Sequence, residues 1–262
     1  MLAIDKMKVL RGDPIVINDQ ITLLQPTVNQ IIDYGEDMFF STFWNICSSA
    51  WDRPSYFADR KIDFMKVSDW EYFLSVVSAL PPLSTNLILK DIDLSEFELQ
   101  KRINGDSIEY VLVREDGFIF TEEMYHLVIP HIREMINFHH SGKKAANKAT
   151  AKILILDDRK QRERNKNKEY ESMLFNIVVS LVNTEEFSYT YESAMNITVY
   201  QLMKSFVQIS GKKNAMALLQ GSMSGFMDTS KISSESFNWT YSDEKYKPKG
   251  RKLVTNTTVK KK

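Results

Sequence analysis

The four histidines of this 262-residue chain, His126, His131, His139 and His140, fall within fifteen positions of one another. Histidine is the common metal ligand and the side chain whose charge changes nearest neutral pH. A metal site on a helix needs two of them three or four residues apart, with an acid as third ligand. The gap of five between His126 and His131 misaligns that pair, and the adjacent His139 and His140 point apart, so surface or helix-end histidines are the expectation. The acid pairs Asp91/Asp93 and Asp157/Asp158 are the candidates for general acid and base. No Gly-rich loop, nucleophile elbow or fixed carboxylate spacing accompanies them, which leaves them as solvated surface. Gly221-Ser222-Met223-Ser224-Gly225 has the outline of an elbow, with Met where the nucleophilic Ser would stand. Gly211-Lys212-Lys213 lacks the upstream glycine of a phosphate-binding loop and sits between helices. The sequence therefore nominates no catalytic residue, no metal and no cofactor.

Residues suited to binding are better represented. The stretch 141–168 holds ten Lys/Arg against three acids, a net of +7. Its basic patch, Arg159, Lys160, Arg162, Arg164, Lys166 and Lys168, could neutralise phosphates. Glu163 and the two Asp interrupt that patch, and no aromatic residue interleaves for base stacking, so a basic helix facing solvent or an acidic body is the favoured reading. Met195, Met203, Met216, Met223 and Met227 crowd the last third of the chain, and Met adapts to varied partners. At helical spacings, Met173, Leu202, Met203, Phe206, Met216 and Leu219 are the candidates for an apolar groove that takes a helix, with some of them expected in the core.

The overall charge is zero, with 34 Lys+Arg against 34 Asp+Glu. The tail after Trp239 is basic, with eight Lys/Arg and two acids, so everything outside it and the central run is acidic. This asymmetry suits self- or partner-directed electrostatics and not a uniformly basic nucleic-acid binder. A single cysteine, Cys47, excludes an intrachain disulfide and a Cys-based zinc cage and fits a reducing cytosol. The longest apolar runs, 153–156 and 177–182, fall far short of the ~20 residues that span a bilayer. Residues 1–8 alternate charge with apolar groups and do not form a signal-peptide core.

The elements expected to position these residues begin with β-like stretches at 7–10, 15–17 and 21–24, the last two a hairpin across Asn18-Asp19. Thr27-Val28-Asn29-Gln30 is a capping box, opening a helix expected to bend at Gly35 and close by Arg53-Pro54-Ser55. Ser68-Asp69-Trp70-Glu71 is a second box, opening a helix over 70–80 that Pro81-Pro82 stops. A strand is expected at 87–90. The alternating stretches 97–103, 108–114 and 118–120, separated by Asn104-Gly105-Asp106 and Asp116-Gly117, predict a three-stranded meander. A helix with acids in its first turn follows Thr121 toward His140, with a kink at Pro130. The alanines at 145, 146, 149 and 151 make 141–168 helical. Helices are then expected at 170–183, 191–197, 198–210 and, after Gly211, 214–223, with a loop at 222–236. The fold class is α+β, mainly helical. Its parts are an α+β segment at 1–140, a basic helix or connector at 141–168, a helical segment at 169–239 and a disordered basic tail at 240–262.

Taken together, Met7-Lys8-Val9-Leu10-Arg11-Gly12 followed by residues 15–26, the segment Tyr34-Gly35-Glu36-Asp37-Met38-Phe39-Phe40-Ser41, the central 159–168 and the end 232–239 resemble small proteins encoded in the tail-morphogenesis regions of long-tailed phages and prophages of Gram-positive bacteria. Among these the chain is most similar to tail assembly chaperones. The resemblance implies a non-enzymatic protein of the host cytoplasm that coats the phage tape measure protein and hands it to the tail tube protein. Such chaperones are shorter and more uniformly helical than this chain, so a structural virion component of the neck or baseplate is one alternative. A nucleic-acid-binding accessory protein using 143–168 is another. Nucleic acid is the disfavoured partner, a homo-oligomer is an open alternative, and no membrane association is expected.

Overall fold

The computed structural model describes residues 5–104, 107–141, 144–224 and 232–240. The first element departs from expectation: residues 7–10 lie in a helix, α1 (Lys6–Arg11), and not in a strand. Asp5 accepts from the amides of Met7 and Lys8, and Gly12 closes the helix in the left-handed region at φ +83°. This start and stop pair outweighs the β-propensity of Val9 and Leu10. The hairpin forms as β1 (Ile15–Val16) paired antiparallel with β2 (Thr22–Leu23). Asn18 holds its turn by accepting from the amides of Gln20 and Ile21.

The capping box at Thr27 opens α2 (Val28–Tyr34), which stops at Gly35 instead of bending there. Gly35, at φ +105°, donates to the carbonyls of Ile31 and Ile32, and its own carbonyl accepts from Phe39 in α3 (Glu36–Cys47). Arg53-Pro54-Ser55 begins an element instead of ending one, since Pro54 takes the first position of α4 (Pro54–Asp59). That site suits a residue with no N–H to donate. The box at Ser68 opens α5 (Asp69–Val77). The expected strand at 87–90 is a single helical turn, α6 (Asn86–Leu89), which buries Ile88 and Leu89.

The meander is present as β3 (Glu98–Asn104), β4 (Ser107–Val113) and β5 (Ile119–Phe120), all antiparallel. Its first turn includes Gly105 and Asp106, which lie outside the described residues. At the second turn Gly117 takes φ +86°. Thr121 caps α7 (Glu122–Met135), which contains Pro130 and ends five residues short of His140. The basic helix α8 (Lys148–Asn165) is shorter than 141–168, because Asn147 and Thr150 form a capping box that fixes its start. α9 (Met173–Val182) and the short α10 (Tyr191–Ala194) follow. The two helices expected on either side of Gly211 are one, α11 (Val199–Met223). A buried glycine in a helix interior costs ~1 kcal/mol relative to alanine, and packing along this helix outweighs it. Of the loop expected at 222–236, Ser222 and Met223 close α11 and Ser234–Phe237 form a 3-10 turn. Residues 225–231 and the tail from 241 lie outside the described residues.

Most elements share one apolar core. Phe39, Phe40, Phe43 and Ile46 of α3 share it with Phe73 of α5, Phe120 of β5, Val128 and Ile132 of α7, Leu174 and Leu181 of α9, and Leu202 and Met203 of α11. Trp70, Phe73, Phe120 and Tyr125 pack ring on ring within it. A smaller cluster of Ala50, Phe57, Phe64, Tyr72 and Ala151 lies under α8.

Candidate functional site

Of the acids whose types suggested acid-base chemistry, Asp93 and Asp158 are occupied in holding backbone, while the Asp91 side chain is exposed beside Lys90. Asp93, 3% exposed, accepts from the amides of Leu83 and Ser95 and the hydroxyl of Thr85. Asp158 accepts the amide of buried Ser55 at the first turn of α4, at 2.9 Å. His131 is buried, with Nδ1 2.7 Å from the Leu127 carbonyl, and His126 sits near Glu122 one turn away. Among the described residues no cluster of three His, Cys, Asp or Glu is placed to hold a metal. Cys47 is fully buried, and burial pushes its thiol up to about 12, with Arg133 opposing the shift.

One constellation has no signature in the sequence. Asp52 gathers His140 Nδ1 at 2.7 Å, the Ser141 amide at 2.9 Å, and the Ser49 amide and hydroxyl at 3.0 and 2.8 Å. An ionised carboxylate only accepts, so Nδ1 of His140 carries the proton. Burial pushes the carboxyl upward, but the hydrogen bonds from His140, Ser141 and Ser49 outweigh it and hold Asp52 well below the usual carboxylate range. The partners are 88 and 89 positions away in the chain, a separation that no spacing rule detects. The contact ties the segment after α7 to the loop before α4.

Arg159, Lys160, Arg162 and Arg164 of the basic patch lie on α8, over α4, and Lys166 and Lys168 follow its end. Arg159 pairs with Asp59, and Arg162 reaches both Asp59 at 3.6 Å and the Ser55 hydroxyl at 3.0 Å. An open groove of about 840 Å³ between the two helices is lined by Asp52, Asp59, Asp158 and Glu163 as well as by Arg53, Arg159, Arg162 and Lys166. Mixed charge of this kind suits helix-to-helix attachment better than a phosphate track. Lys160, Arg164, Lys166 and Lys168 are exposed.

The apolar candidates separate into two groups. Leu202 and Met203 are core residues, and Met173 packs against the core from a half-buried position. Phe206, Met216 and Leu219 are exposed. Leu202, Ile209, Met216 and Met223 recur every seven residues and so form one stripe on α11. The first two are 0% and 9% exposed and the last two 46% and 88%, so the buried stripe continues past its cover. The alternation of buried and exposed Met could not be read from spacing, because the period is the same in both halves of the helix.

Residues 165–242, which include α9, α10, α11 and the 3-10 turn at 234–237, match a family model described as the YomV second domain. That family is phage-derived, and the match supports a phage protein. No curated protein and no solved structure matches the chain. Among the described residues no helix is long and apolar enough to cross a membrane.

Proposed function

We propose that the chain is a non-enzymatic phage tail morphogenesis protein, a tail assembly chaperone that binds the tape measure protein in the host cytoplasm and passes it to the tail tube protein. The observation that carries the reading is the uncovered end of α11, where Met216, Leu219 and Met223 prolong a stripe that is core in the first half of the helix. A long client helix can lie along such a stripe, and flexible Met side chains tolerate the changing sequence of an extended client. Burial of each side chain contributes ~1.5–3 kcal/mol before the cost of association. One stripe therefore binds weakly, and many copies along one client supply avidity.

The test is co-expression with the tape measure protein of the same tail region and affinity capture of the pair. Loss of capture in Met216→Asp and in Leu219→Asp, each with unchanged circular dichroism, is the expected result. Capture that survives in both folded variants overturns this face as the client site. Recovery of the chain as a stoichiometric component of purified virions would replace the chaperone reading with the structural one.

A further inference from the structure

β3 is the outer strand of the meander, and the direction of its backbone groups follows from its neighbours. Trp70 Nε1 donates to the Tyr110 carbonyl at 3.2 Å, and the Arg114 amide donates to the Phe118 carbonyl at 2.9 Å. Even-numbered residues of β4 therefore turn their backbone groups to the β5 side and odd-numbered ones to β3. The register pairs the odd-numbered residues with Glu98, Gln100, Arg102 and Asn104. Leu99, Lys101 and Ile103 consequently point their N–H and C=O groups away from the sheet, as alternate residues of an antiparallel pair must. Among the described residues no backbone hydrogen bond reaches that side. The strand carries neither proline nor bulge, and an unpaired edge of this kind is a template for another strand.

We propose that β3 pairs antiparallel with β3 of a second copy of this chain, about a two-fold axis at Gln100. Outward-facing backbone must meet outward-facing backbone, which restricts the axis to a few residues, and charge selects among them. An axis at Lys101 sets Lys101 opposite its own copy, and an axis at Arg102 does the same with Arg102. Like charges directly opposite are destabilising. An axis at Leu99 or at Ile103 overlaps only three strand residues and makes no ion pair. With the axis at Gln100, Glu98 of each copy faces Arg102 of the other, and the two Gln100 amides face one another. Leu99 lies against the methylene stem of Lys101. Arg102 is paired across its own hairpin with Glu109, so the signs alternate from Glu98 of one copy through Arg102 to Glu109 of the other. Leu99 and Lys101 exchange backbone hydrogen bonds in both directions, four in all across the axis. Leu99 also shares its face with Ile103, Ile108 and Tyr110, each half exposed or more, and pairing shields part of that apolar strip.

Sedimentation equilibrium of the full chain over a wide range of concentration reads the result directly. The mass should rise from one chain to two. Lys101→Pro removes an outward amide and the stem that lies against Leu99 of the other copy while leaving the hairpin's own ladder bonds, a change that an edge strand accommodates. It should hold the mass at one chain with the circular dichroism spectrum unchanged. Glu98→Arg should raise the dimer dissociation constant by more than tenfold, and Glu98→Arg combined with Arg102→Glu should recover most of that loss. A wild-type chain that stays at one mass throughout overturns the proposal. So does a dimer that Lys101→Pro and Glu98→Arg both leave intact, which would place the interface elsewhere. A monomeric wild type whose capture of a tape measure protein is abolished by Lys101→Pro would assign the edge to a foreign strand and also overturn self-pairing.

Discussion

Thr27 and Thr198 stand 171 positions apart and pair as an isolated antiparallel bridge, although each is the N-cap of its own helix. Both caps are complete boxes: Thr27 with Gln30, Thr198 with Gln201. The amides of Val28 and Asn29 donate to the carbonyls of Ile197 and Met195, and the Val199 amide donates to that of Pro26. The starts of α2 and α11 thus satisfy one another's backbone and lock α11 to the front of the chain. Gln201 adds a bond from its side chain to the Leu10 carbonyl at 2.7 Å.

Thr198→Ala should lower stability by about 1 kcal/mol through the lost cap. Gly12→Ala should cost more, because the residue sits at φ +83° and the new Cβ would lie 3.1 Å from Thr198 Cγ2. Thr198→Ser keeps the hydroxyl and removes that methyl, so combining it with Gly12→Ala should recover the steric part of the loss and leave the backbone part. Thermal unfolding of the three single variants and the pair measures the coupling.

These junctions also show what the sequence discloses. The boxes at Thr27 and Ser68 and the Asp116-Gly117 turn are local chemistry, decided within four residues, and each is legible before folding. The stretch 7–10 is helix where a strand is expected because Asp5 before it and Gly12 after it are stronger signals than the β-propensity of Val9 and Leu10. Gly211 failed as a helix stop because its surroundings are tertiary. The bridge between Thr27 and Thr198, and the bond of Asp52 to His140, depend on which distant segments meet, and no window of sequence holds both members.

Asp52 predicts a pH dependence of definite sign. Its folded carboxyl lies below the ordinary value, so the stability it contributes is present above the unfolded pKa of ~3.9 and is lost as pH falls through the lower folded value. Asp52→Asn should be less stable than wild type at neutral pH and should show a shallower decline below about pH 4. Parallel slopes for the two proteins in chemical denaturation across that range would count against this account of the latch.

The two halves of the α11 stripe should differ sharply in their tolerance of charge. Met203→Asp places a carboxylate at a position 5% exposed, and the chain should unfold or lose more than ~3 kcal/mol. Met216→Asp should change stability by less than ~0.5 kcal/mol, as surface substitutions do. Urea midpoints separate the two outcomes and show whether the client-capture variants are free of folding defects.

On α8, the acid should matter more than the bases. Asp158→Ala leaves the amide of Ser55, a residue with no exposed surface, without its acceptor and should cost ~1–3 kcal/mol. Arg159→Ala removes only an exposed ion pair with Asp59 and should cost less than ~1 kcal/mol, diminishing with added salt. Equal losses would mean that the groove between α4 and α8 is held by its exposed ion pairs as much as by the acceptor for the Ser55 amide.

Glu36, the first residue of α3, accepts from the Ser172 hydroxyl and from the Leu174 amide at 2.8 Å, so the first turn of α9 takes its acceptor from far upstream. A stretch that recurs as a recognisable unit is a natural object of recombination between genomes, yet this one is not self-contained. Any leader joined to it by such an exchange has to present an acid where Glu36 stands, or leave the Leu174 amide at the opening of α9 to water. The portability of the module therefore depends on a carboxylate that lies outside it, besides the carbonyls and the core that the front of the chain supplies.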